Sequence, residues 1–371
     1  MTLSIAVRTT CVLTVLSSLL FSCGQSDSGA SRDLGEPSAL VRDPVGSTQL
    51  GYVPAEFMSV EDVDAALPML ASKHVDLVWA WPADVSESEL MARLSVVRRG
   101  EQLGIEVRPW LTLPQSDGYW PGASNAEAFD TAARALLQAW LAAGLKPNML
   151  LVDMEMPLQR ALEFVDIEST GDAVAMTEFL ARGVDRTQYA AATKIYADLV
   201  DHAHELGFKV EISTLSTVLD DMDDGDDGLR QGFGIPFDHI DWDLCTFQIY
   251  RTMAGTGTGL TLDASYVYDY ALRIKLRFGE RAGIVVGLVD PGGLGVDAPV
   301  YDDPSQAAED VAAARVAGLS RRAVGLYQLR GIMAQSSPDV WFAPSSKRYF
   351  NPVDSAALLI HGAAAALDLT L

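Results

Sequence analysis

The sequence predicts an α/β protein whose eight parallel strands and intervening helices form a (β/α)8, or TIM, barrel. Eight short and nearly continuous apolar runs follow one another along the chain, as expected for parallel strands that are buried on both faces. Amphipathic segments separate these runs, and several of them end in glycine, which is favoured immediately after a helix. Eight such units in one chain are typical of the (β/α)8 barrel.

The predicted elements follow in chain order. The strands are Gln49–Val53, Val75–Trp81, Ile105–Leu113, Met149–Met156, Lys209–Leu215, Leu244–Tyr250, Gly283–Val289 and Ala323–Leu329. The clearest helices are Glu87–Gly104, Ala126–Gly144, Thr193–Gly207, Tyr266–Gly279 and Ser305–Gly318. An open doubly wound sheet is the competing arrangement, but no glycine-rich phosphate turn follows the first strand, which argues against its dinucleotide-binding form.

Two stretches fall outside the regular units. Leu158–Thr193 is too long for a simple strand-to-helix connection, and its pattern predicts inserted helices over the C-terminal face of the barrel, where insertions form the walls or lids of substrate sites. Ser355–Leu371 is predicted to be a closing helix. It is too short for a membrane span and contains His361 and Asp368.

Composition and charge narrow the class of partner. The 371 residues are 49% hydrophobic and 21% charged, which is the composition of a globular protein with a large core. Lys and Arg number 27 against 50 Asp and Glu, so the formal net charge is −23 at pH 7. Such a surface repels polyanions, and nucleic acid is therefore not an expected partner.

The N-terminal segment has the pattern of a secretion signal. Arg8 precedes an uncharged, mostly apolar run, Thr9–Phe21, which is too short to span a bilayer and is typical of a signal-peptide core. The run Leu20-Phe21-Ser22-Cys23 resembles a bacterial lipobox, which implies cleavage before Cys23 and lipid on its sulfur. Gly24, in place of Asp, favours the outer membrane of a two-membrane bacterium. An ordinary signal peptide with an incidental cysteine is the alternative.

The predicted organisation has three parts. These are a signal peptide over residues 1–22, a flexible tether rich in Ser, Gly, Asp and Pro over residues 23–48, and a barrel domain over residues 49–371. The protein is expected in the cell envelope, anchored to the membrane through lipid on Cys23. Cys245 is then the single cysteine of the barrel, so neither an internal disulfide nor a cysteine metal site is expected.

The fourth predicted strand ends in two carboxylates. Alternation along a strand puts Asp153 and Glu155 on one face, about 6.5–7 Å apart. Carboxylates in an apolar strand are costly unless they are solvated, hydrogen-bonded or functional, and their proximity raises one pKa, as a general acid requires. Because the site of such a barrel lies at the C-terminal ends of its strands, we expect a catalytic or ligand-binding pair. Two solvated acids at the rim are the alternative.

Aromatic, amide and charged side chains stand at the ends of other strands. They suit stacking on sugar rings and hydrogen bonding to sugar hydroxyls. The candidates for substrate contact are Tyr52, Trp79, Trp81, Trp110, Gln248, Arg251, Asp290, Tyr327 and Gln328. Trp79 and Trp81 share one face by alternation, so that both face the barrel interior or both pack against helices.

A family resemblance rests on the fourth and sixth strands. Asp153-Met154-Glu155-Met156-Pro157 resembles the Asp-aromatic-Glu-aromatic-Pro strand end of family 18 glycoside hydrolases, the chitinase and endo-β-N-acetylglucosaminidase group, and the resemblance extends to the order of the barrel. It implies that Glu155 protonates the glycosidic oxygen. It also implies that Asp153 orients the substrate's 2-acetamido group, whose oxygen is the nucleophile. Gln248-Ile249-Tyr250 resembles the family's Met-x-Tyr, which implies that the Tyr250 hydroxyl contacts the same group.

The sequence thus predicts a lipid-anchored glycosidase that cleaves an oligo- or polysaccharide, N-acetylated sugars included, with Glu155 as general acid. Three alternatives remain open. A retaining enzyme would pair Glu155 with Asp290, although Asp290 opens the turn signature Asp-Pro-Gly-Gly. An inactive, carbohydrate-binding barrel would explain why Leu151 and Arg251 stand where the family has acids. In a purely structural lipoprotein the aromatic side chains would belong to the core.

Neither a metal nor an organic cofactor is predicted. The acidic segment Asp220–Gly228 offers the oxygen ligands that Ca²⁺ prefers, but its glycines do not fit the EF-hand spacing, so a solvated loop is expected. Gly255–Gly259 lacks the phosphate-binding P-loop pattern. Motifs of the H-E-x-x-H and G-x-S-x-G types do not occur in the sequence.

Overall fold

A computed structural model describes residues 50–170, 172–258, 260–290, 298–345 and 360–361. Its parallel strands close into a barrel in which each strand pairs with its neighbours in chain order and the last pairs with the first. The strands are β1 (Tyr52–Ala55), β2 (Asp76–Pro82), β3 (Val107–Thr112), β4 (Met149–Asp153), β5 (Lys209–Leu215), β6 (Leu244–Ile249), β7 (Ala282–Gly287) and β8 (Val324–Tyr327). The predicted (β/α)8 barrel is confirmed, and the open sheet is excluded.

Helices connect the strands throughout the described part of the chain. They are α1 (Val60–Lys73), α2 (Glu87–Leu103), α3 (Ala126–Ala142), α4 (Leu158–Thr170), α5 (Ala173–Gly183), α6 (Arg186–Glu205), α7 (Ser216–Asp224), α8 (Gly228–Phe233), α9 (Arg251–Thr258), α10 (Ala264–Phe278), α11 (Pro304–Val316) and α12 (Leu329–Met333). Helices α4 and α5 are the insertion predicted between the fourth strand and its regular helix.

Local sequence signals set the ends of these helices. Ser59 and Ser86 precede α1 and α2, and the hydroxyl of each accepts a hydrogen bond from a backbone N–H of the first helical turn. The glycines predicted to close five helices all have positive φ, between 61° and 98°; they are Gly104, Gly144, Gly207, Gly279 and Gly318. Side chains with a Cβ are strained in that region, which explains why these helices stop where the glycines stand.

Alternation divides the barrel wall into two faces. Outward side chains such as Val53, Trp79 and Phe247 belong to the main core between sheet and helices. Inward side chains form a second, smaller cluster inside the barrel, made of Tyr52, Val78, Ala80, Trp110 and Leu151. Each strand is thereby buried on both sides, as its apolar sequence predicted.

A buried ion pair fills the interior at the N-terminal ends of the strands. Arg108 on β3 lies 3.3 Å from Glu211 on β5, and the Thr246 hydroxyl on β6 donates a hydrogen bond of 2.6 Å to the same carboxylate. Charges can be buried in this way because they are paired and hydrogen-bonded. The cavity of the barrel lies at the other end.

Most strand boundaries differ from the prediction by one to three residues, and two of these differences bear on the site. β1 runs to Ala55, two residues beyond the predicted end at Val53. β4 ends at Asp153, because the backbone N–H of Glu155 donates to Pro121 in the loop after β3 and so leaves the ladder. Both shifts change which side chains stand at the rim of the barrel.

Parts of the predicted organisation lie outside the described residues. These are the signal peptide, Cys23, the tether and, apart from Ile360 and His361, the closing helix Ser355–Leu371. Within the described residues no helix is long and apolar enough to cross a membrane.

Candidate active site

A cavity of about 440 Å³ opens at the C-terminal ends of the strands. Its floor includes inward side chains of four strands, namely Tyr52, Asp153, Ser213 and Gln248. Its walls come from the loops after β1 and β3 and from the inserted helix α4. The end of the barrel at which the sequence predicts a site therefore holds a cavity of the size that binds a small ligand or part of a larger one.

Gln248 joins the two predicted carboxylates. Asp153 ends β4 and is 3% exposed, while Glu155 is half-buried two residues later. The Gln248 amide nitrogen donates hydrogen bonds to Asp153 Oδ1 at 2.9 Å and to Glu155 Oε1 at 2.6 Å. Since one nitrogen reaches both, the two carboxyls face the same point of the cavity.

Burial raises the pKa of both carboxyls. The pKa of Glu155 rises to about 7, although the Gln248 hydrogen bond acts in the opposite direction. The pKa of Asp153 lies well above its usual range, because the side chain is buried and because it faces Glu155. A carboxyl that still holds its proton near neutral pH can donate it, which is the property of a general acid.

A third carboxyl, Glu56, joins the predicted pair. It directly follows β1, lines the cavity and is 2% exposed. Its Oε1 accepts a hydrogen bond of 2.7 Å from the Tyr119 hydroxyl, and its Oε2 accepts one from the Tyr327 hydroxyl. Burial raises the pKa of Glu56 to about 7, and the two hydrogen bonds oppose that rise.

The sequence carries a signal that would have identified Glu56. It lies two residues after Pro54 and four after Tyr52, on the face of the strand that looks into the barrel. The predicted first strand ended at Val53, so that Glu56 fell in a loop instead of at a strand end. The observed extension of β1 to Ala55 brings it to the rim.

Aromatic side chains surround the carboxyls. The ring of Tyr250 lies 5.7 Å from that of Tyr327, and Trp110 and Trp120 line the cavity from β3 and from the loop after it. Burial raises the pKa of Tyr250 well above its usual value, so its hydroxyl stays a hydrogen-bond donor. Within the described part of the chain this hydroxyl has no hydrogen-bond partner, which leaves it available to a ligand.

The structure removes Trp79 and Trp81 from the candidate site. Val78 and Ala80 point into the barrel, so alternation turns both tryptophans outward against the helices. Both are almost completely buried, and the Arg93 guanidinium of α2 lies 4.5 Å from the centre of the Trp79 ring. Expecting them to contact substrate was wrong, because their face of β2 belongs to the main core.

The side chains of Arg251 and Asp290, also predicted to contact substrate, do not line the cavity. Arg251 begins α9 and points away from the cavity to Asp310, with 2.9 Å between Nε and Oδ2. Asp290 accepts two hydrogen bonds from Arg330, at 2.7 and 2.8 Å, and does not line the cavity. A retaining pair of Glu155 and Asp290 is therefore not supported, because the second carboxylate is engaged elsewhere.

Gln328 has a supporting position instead of a ligand-facing one. Its side chain is fully buried and does not line the cavity. Its Oε1 accepts a hydrogen bond of 3.1 Å from the backbone N–H of Glu56. Gln328 thus holds the chain that carries the third carboxyl.

The groups that line the cavity restrict its chemistry. Among the described residues no Lys, Arg, His or Cys side chain lines it, so carboxyls and phenols are the titratable groups there. The described lining therefore offers no lysine for a Schiff base, no cysteine nucleophile and no cationic side chain to bind a phosphate. Proton transfer by carboxyls is the chemistry that the lining side chains offer.

No metal site accompanies this chemistry in the described residues, where no three His, Cys, Asp or Glu side chains could hold an ion. The acidic segment after β5 is not the solvated loop expected from the sequence. It forms the end of α7 and the start of α8, and two of its side chains are buried in ion pairs, Asp220 with Arg273 and Asp221 with Arg230.

The chain matches no family model, and no curated protein has a similar sequence. Its fold is similar to that of a fungal β-1,4-galactanase, with 12% identity, a TM-score of 0.44 and coverage of 71% of this chain and 80% of the other. It is also similar to the catalytic domain of a β-amylase from Paenibacillus polymyxa, with 9% identity, a TM-score of 0.46 and coverage of 80% of this chain and 95% of the other. A third protein of similar fold is the deoxyribose phosphate aldolase from Aeropyrum pernix, with 11% identity, a TM-score of 0.37 and coverage of 79% of this chain and 87% of the other. These likenesses concern the fold alone, which hosts many unrelated reactions.

Proposed function

We propose that this protein hydrolyses a glycosidic bond and that Glu155 is the general acid. The observation that carries the proposal is the carboxyl pair of Asp153 and Glu155, bridged by the Gln248 amide in a cavity whose described lining has no basic side chain. Glycoside hydrolysis needs a pair of carboxyl groups and no cofactor, and carboxyl groups are the side chains that this cavity brings together. Because no basic side chain lines the described part of the cavity, an anionic substrate is disfavoured.

The remaining groups suit a carbohydrate. The Tyr250 hydroxyl can donate to a sugar hydroxyl or to an acetamido oxygen, and the rings of Trp110 and Trp120 can stack on a pyranose. Two adjacent negative charges in a buried site are costly, so the pair of Asp153 and Glu155 holds a proton more tightly than an isolated carboxyl would. We propose an oligo- or polysaccharide substrate, N-acetylated sugars included. We further propose that the enzyme acts at the cell envelope, anchored through lipid on Cys23.

The test compares substrates whose leaving groups do and do not need a proton, which separates acid catalysis from other effects of a substitution. The full chain, purified in detergent, is offered glucosides, galactosides, mannosides and N-acetylglucosaminides, each as the activated dinitrophenyl glycoside and as the unactivated oligosaccharide. In Glu155→Gln, oligosaccharide cleavage should fall about 10²–10⁴-fold. Cleavage of the dinitrophenyl glycoside should fall far less, because dinitrophenolate leaves without a proton. Equal rates for parent and variant on the oligosaccharide would refute the role of Glu155.

The control removes a carboxyl at the opposite end of the barrel. Glu106 is partly exposed beside the buried Arg108 and does not line the cavity. Glu106→Gln should therefore leave both rates unchanged. A loss of activity in this variant would mean that any carboxyl change in the barrel disturbs the site, and the Glu155 result would lose its meaning.

One observation favours a second function, an inactive barrel that binds carbohydrate. Leu151 faces the barrel interior at a position where the family 18 motif has a further acid. For this alternative, no glycoside is cleaved at any pH, while an oligosaccharide still quenches or enhances tryptophan fluorescence equally in the parent and in Glu155→Gln. Such a result would replace the hydrolase proposal with a binding function.

A further inference from the structure

We infer that Glu56 is the general base of this site and that hydrolysis inverts the anomeric configuration. The inference rests on the proposed function. Glu56 reaches the cavity from the end of β1, whereas Asp153 and Glu155 reach it from the end of β4. Two strands separate β1 from β4 around the barrel, so the carboxyls come from different sides of the cavity.

The partners of Glu56 distinguish it from a structural carboxylate. Glu211, also a buried glutamate inside this barrel, has Arg108 at 3.3 Å as its counter-charge. Glu56 has hydroxyl donors instead, from Tyr119 and Tyr327, while the nearby charges of Arg330 and Asp290 are paired with each other. Among the described residues Glu56 has no ion pair of its own, and a buried carboxylate in that position is costly to the fold and typical of functional groups.

The same hydrogen bonds prepare Glu56 to act as a base. Both tyrosines donate to its oxygens, and a donated hydrogen bond stabilises the carboxylate form. Each carboxylate oxygen can accept further hydrogen bonds, so a water molecule can still bind to it. Gln328 holds the backbone N–H of Glu56 and thereby fixes the direction of the side chain.

The Glu56 carboxylate takes one proton from a water molecule while the water oxygen forms a bond to the anomeric carbon. The bond between that carbon and the glycosidic oxygen breaks, its electron pair stays on the oxygen, and Glu155 supplies the proton. Glu56 ends protonated and Glu155 ionised, and exchange with solvent restores both. Because water attacks from the face opposite the leaving group, the configuration inverts.

This mechanism differs from substrate assistance in its consequences. If the substrate's own acetamido oxygen were the nucleophile, the configuration would be retained and sugars with a 2-hydroxyl would not be cleaved. With Glu56 as base, a 2-acetamido group is not required. The anomeric proton of the first-formed product, followed by NMR, therefore separates the two.

The test uses Glu56→Gln with the same pairs of dinitrophenyl glycosides and oligosaccharides. A base is needed whatever the leaving group, so both rates should fall about 10²–10⁴-fold, in contrast to Glu155→Gln. In Glu56→Ala, added azide should restore cleavage of the dinitrophenyl glycoside and give a glycosyl azide of inverted configuration. Retention of configuration, or a Glu56→Gln rate on the dinitrophenyl glycoside close to that of the parent, would overturn the inference.

A second variant covers the case in which Glu56→Gln does not fold. Tyr327→Phe removes one hydrogen bond to the carboxylate, so the pKa of Glu56 should rise and the acidic limb of kcat/KM should move to higher pH. If the acidic limb of kcat/KM did not move in Tyr327→Phe, Glu56 would have a structural role and would not be the base. The two proposals fail separately. A parent that cleaves no glycoside refutes the hydrolase and the base together, whereas a normal Glu155→Gln response with an active Glu56→Gln refutes the base alone.

Discussion

Gln248 Nε2 lies 2.6 Å from Glu155 Oε1, so the nearest polar partner of the proposed acid is an uncharged amide. A cation at this place would hold the carboxyl ionised at neutral pH, and it could then not donate a proton. The amide orients the carboxyl and offsets only part of the effect of burial on its pKa. The same nitrogen also bonds Asp153, which links the two side chains in one network.

Replacing this amide should move the titration of the acid. In Gln248→Leu, the pKa of Glu155 should rise above its value of about 7, because the carboxylate loses the hydrogen bond that stabilises it. The basic limb of kcat/KM, which reports the acid in the free enzyme, should shift to higher pH. The exposed Gln138 on α3 provides the control, and Gln138→Leu should leave the profile unchanged. An unshifted basic limb in Gln248→Leu would mean that the amide does not tune Glu155.

The raised pKa of Glu155 should also appear in the stability of the protein. A carboxyl with a pKa of about 7 in the folded chain and about 4.3 in the unfolded chain binds its proton more tightly when folded. Its contribution is fully present at low pH and is lost as the pH rises from about 4.5 to 7. Glu155→Gln should therefore match the parent near pH 4.5 and exceed its free energy of unfolding at pH 8 by on the order of 3 kcal/mol, measured by urea denaturation.

The matched comparison is Glu211→Gln at the other end of the barrel. It removes the fully buried counter-charge of Arg108, which keeps its ion pairs with the less buried Glu106 and Asp76, so the loss should approach the cost of about 3–5 kcal/mol for a broken buried pair. This variant should be less stable than the parent at both pH values. If Glu155→Gln were likewise destabilised at pH 8, Glu155 would be a structural carboxylate and not a strained functional one.

Tryptophans inside and outside the site should respond in opposite ways. Trp81→Ala should lower the free energy of unfolding by about 3–5 kcal/mol and leave KM unchanged, because the ring fills the core behind β2. Trp120→Ala should raise KM severalfold at little cost in stability, because that ring is partly exposed and lines the cavity. Thermal unfolding measures the change in stability, and initial rates on the cleaved oligosaccharide measure the change in KM. A raised KM in Trp81→Ala would return that residue to the site.

The fold was predictable because its signals repeat. Every strand is buried on both faces and reads as an apolar run, and five of the connecting helices stop at a glycine that adopts positive φ. Within the strands, errors were confined to the ends, where a single backbone bond decides the boundary, whereas the acidic segment expected as a loop after β5 forms parts of α7 and α8. The hydrogen bond from Glu155 to Pro121 ends β4, and no periodicity in the sequence indicates it.

The site was predictable only where alternation along one strand sufficed. It put Asp153 and Glu155 on a common face, but it could not tell which face of β2 looks inward, and the choice for Trp79 and Trp81 depended on that. Glu56 was missed because a shift of two residues in the end of β1 moved it out of the rim. Partners from distant parts of the chain, such as Gln328 for Glu56, follow from the closed barrel and not from any local pattern.

Arg251 offers a test of a residue that the structure moves from the site to the core. Its guanidinium lies 2.9 Å from the fully buried Asp310, whose pKa burial raises to about 6 against the effect of that arginine. In Arg251→Gln the pKa of Asp310 should rise further, so stability should decline as the pH rises through this range. We expect a loss of about 3–5 kcal/mol at pH 8, a smaller loss at pH 5, and an unchanged KM. In the control Arg99→Gln, which breaks an exposed pair with Asp64, the loss should stay below about 1 kcal/mol. A raised KM with unchanged stability in Arg251→Gln would show that its side chain reaches the substrate after all.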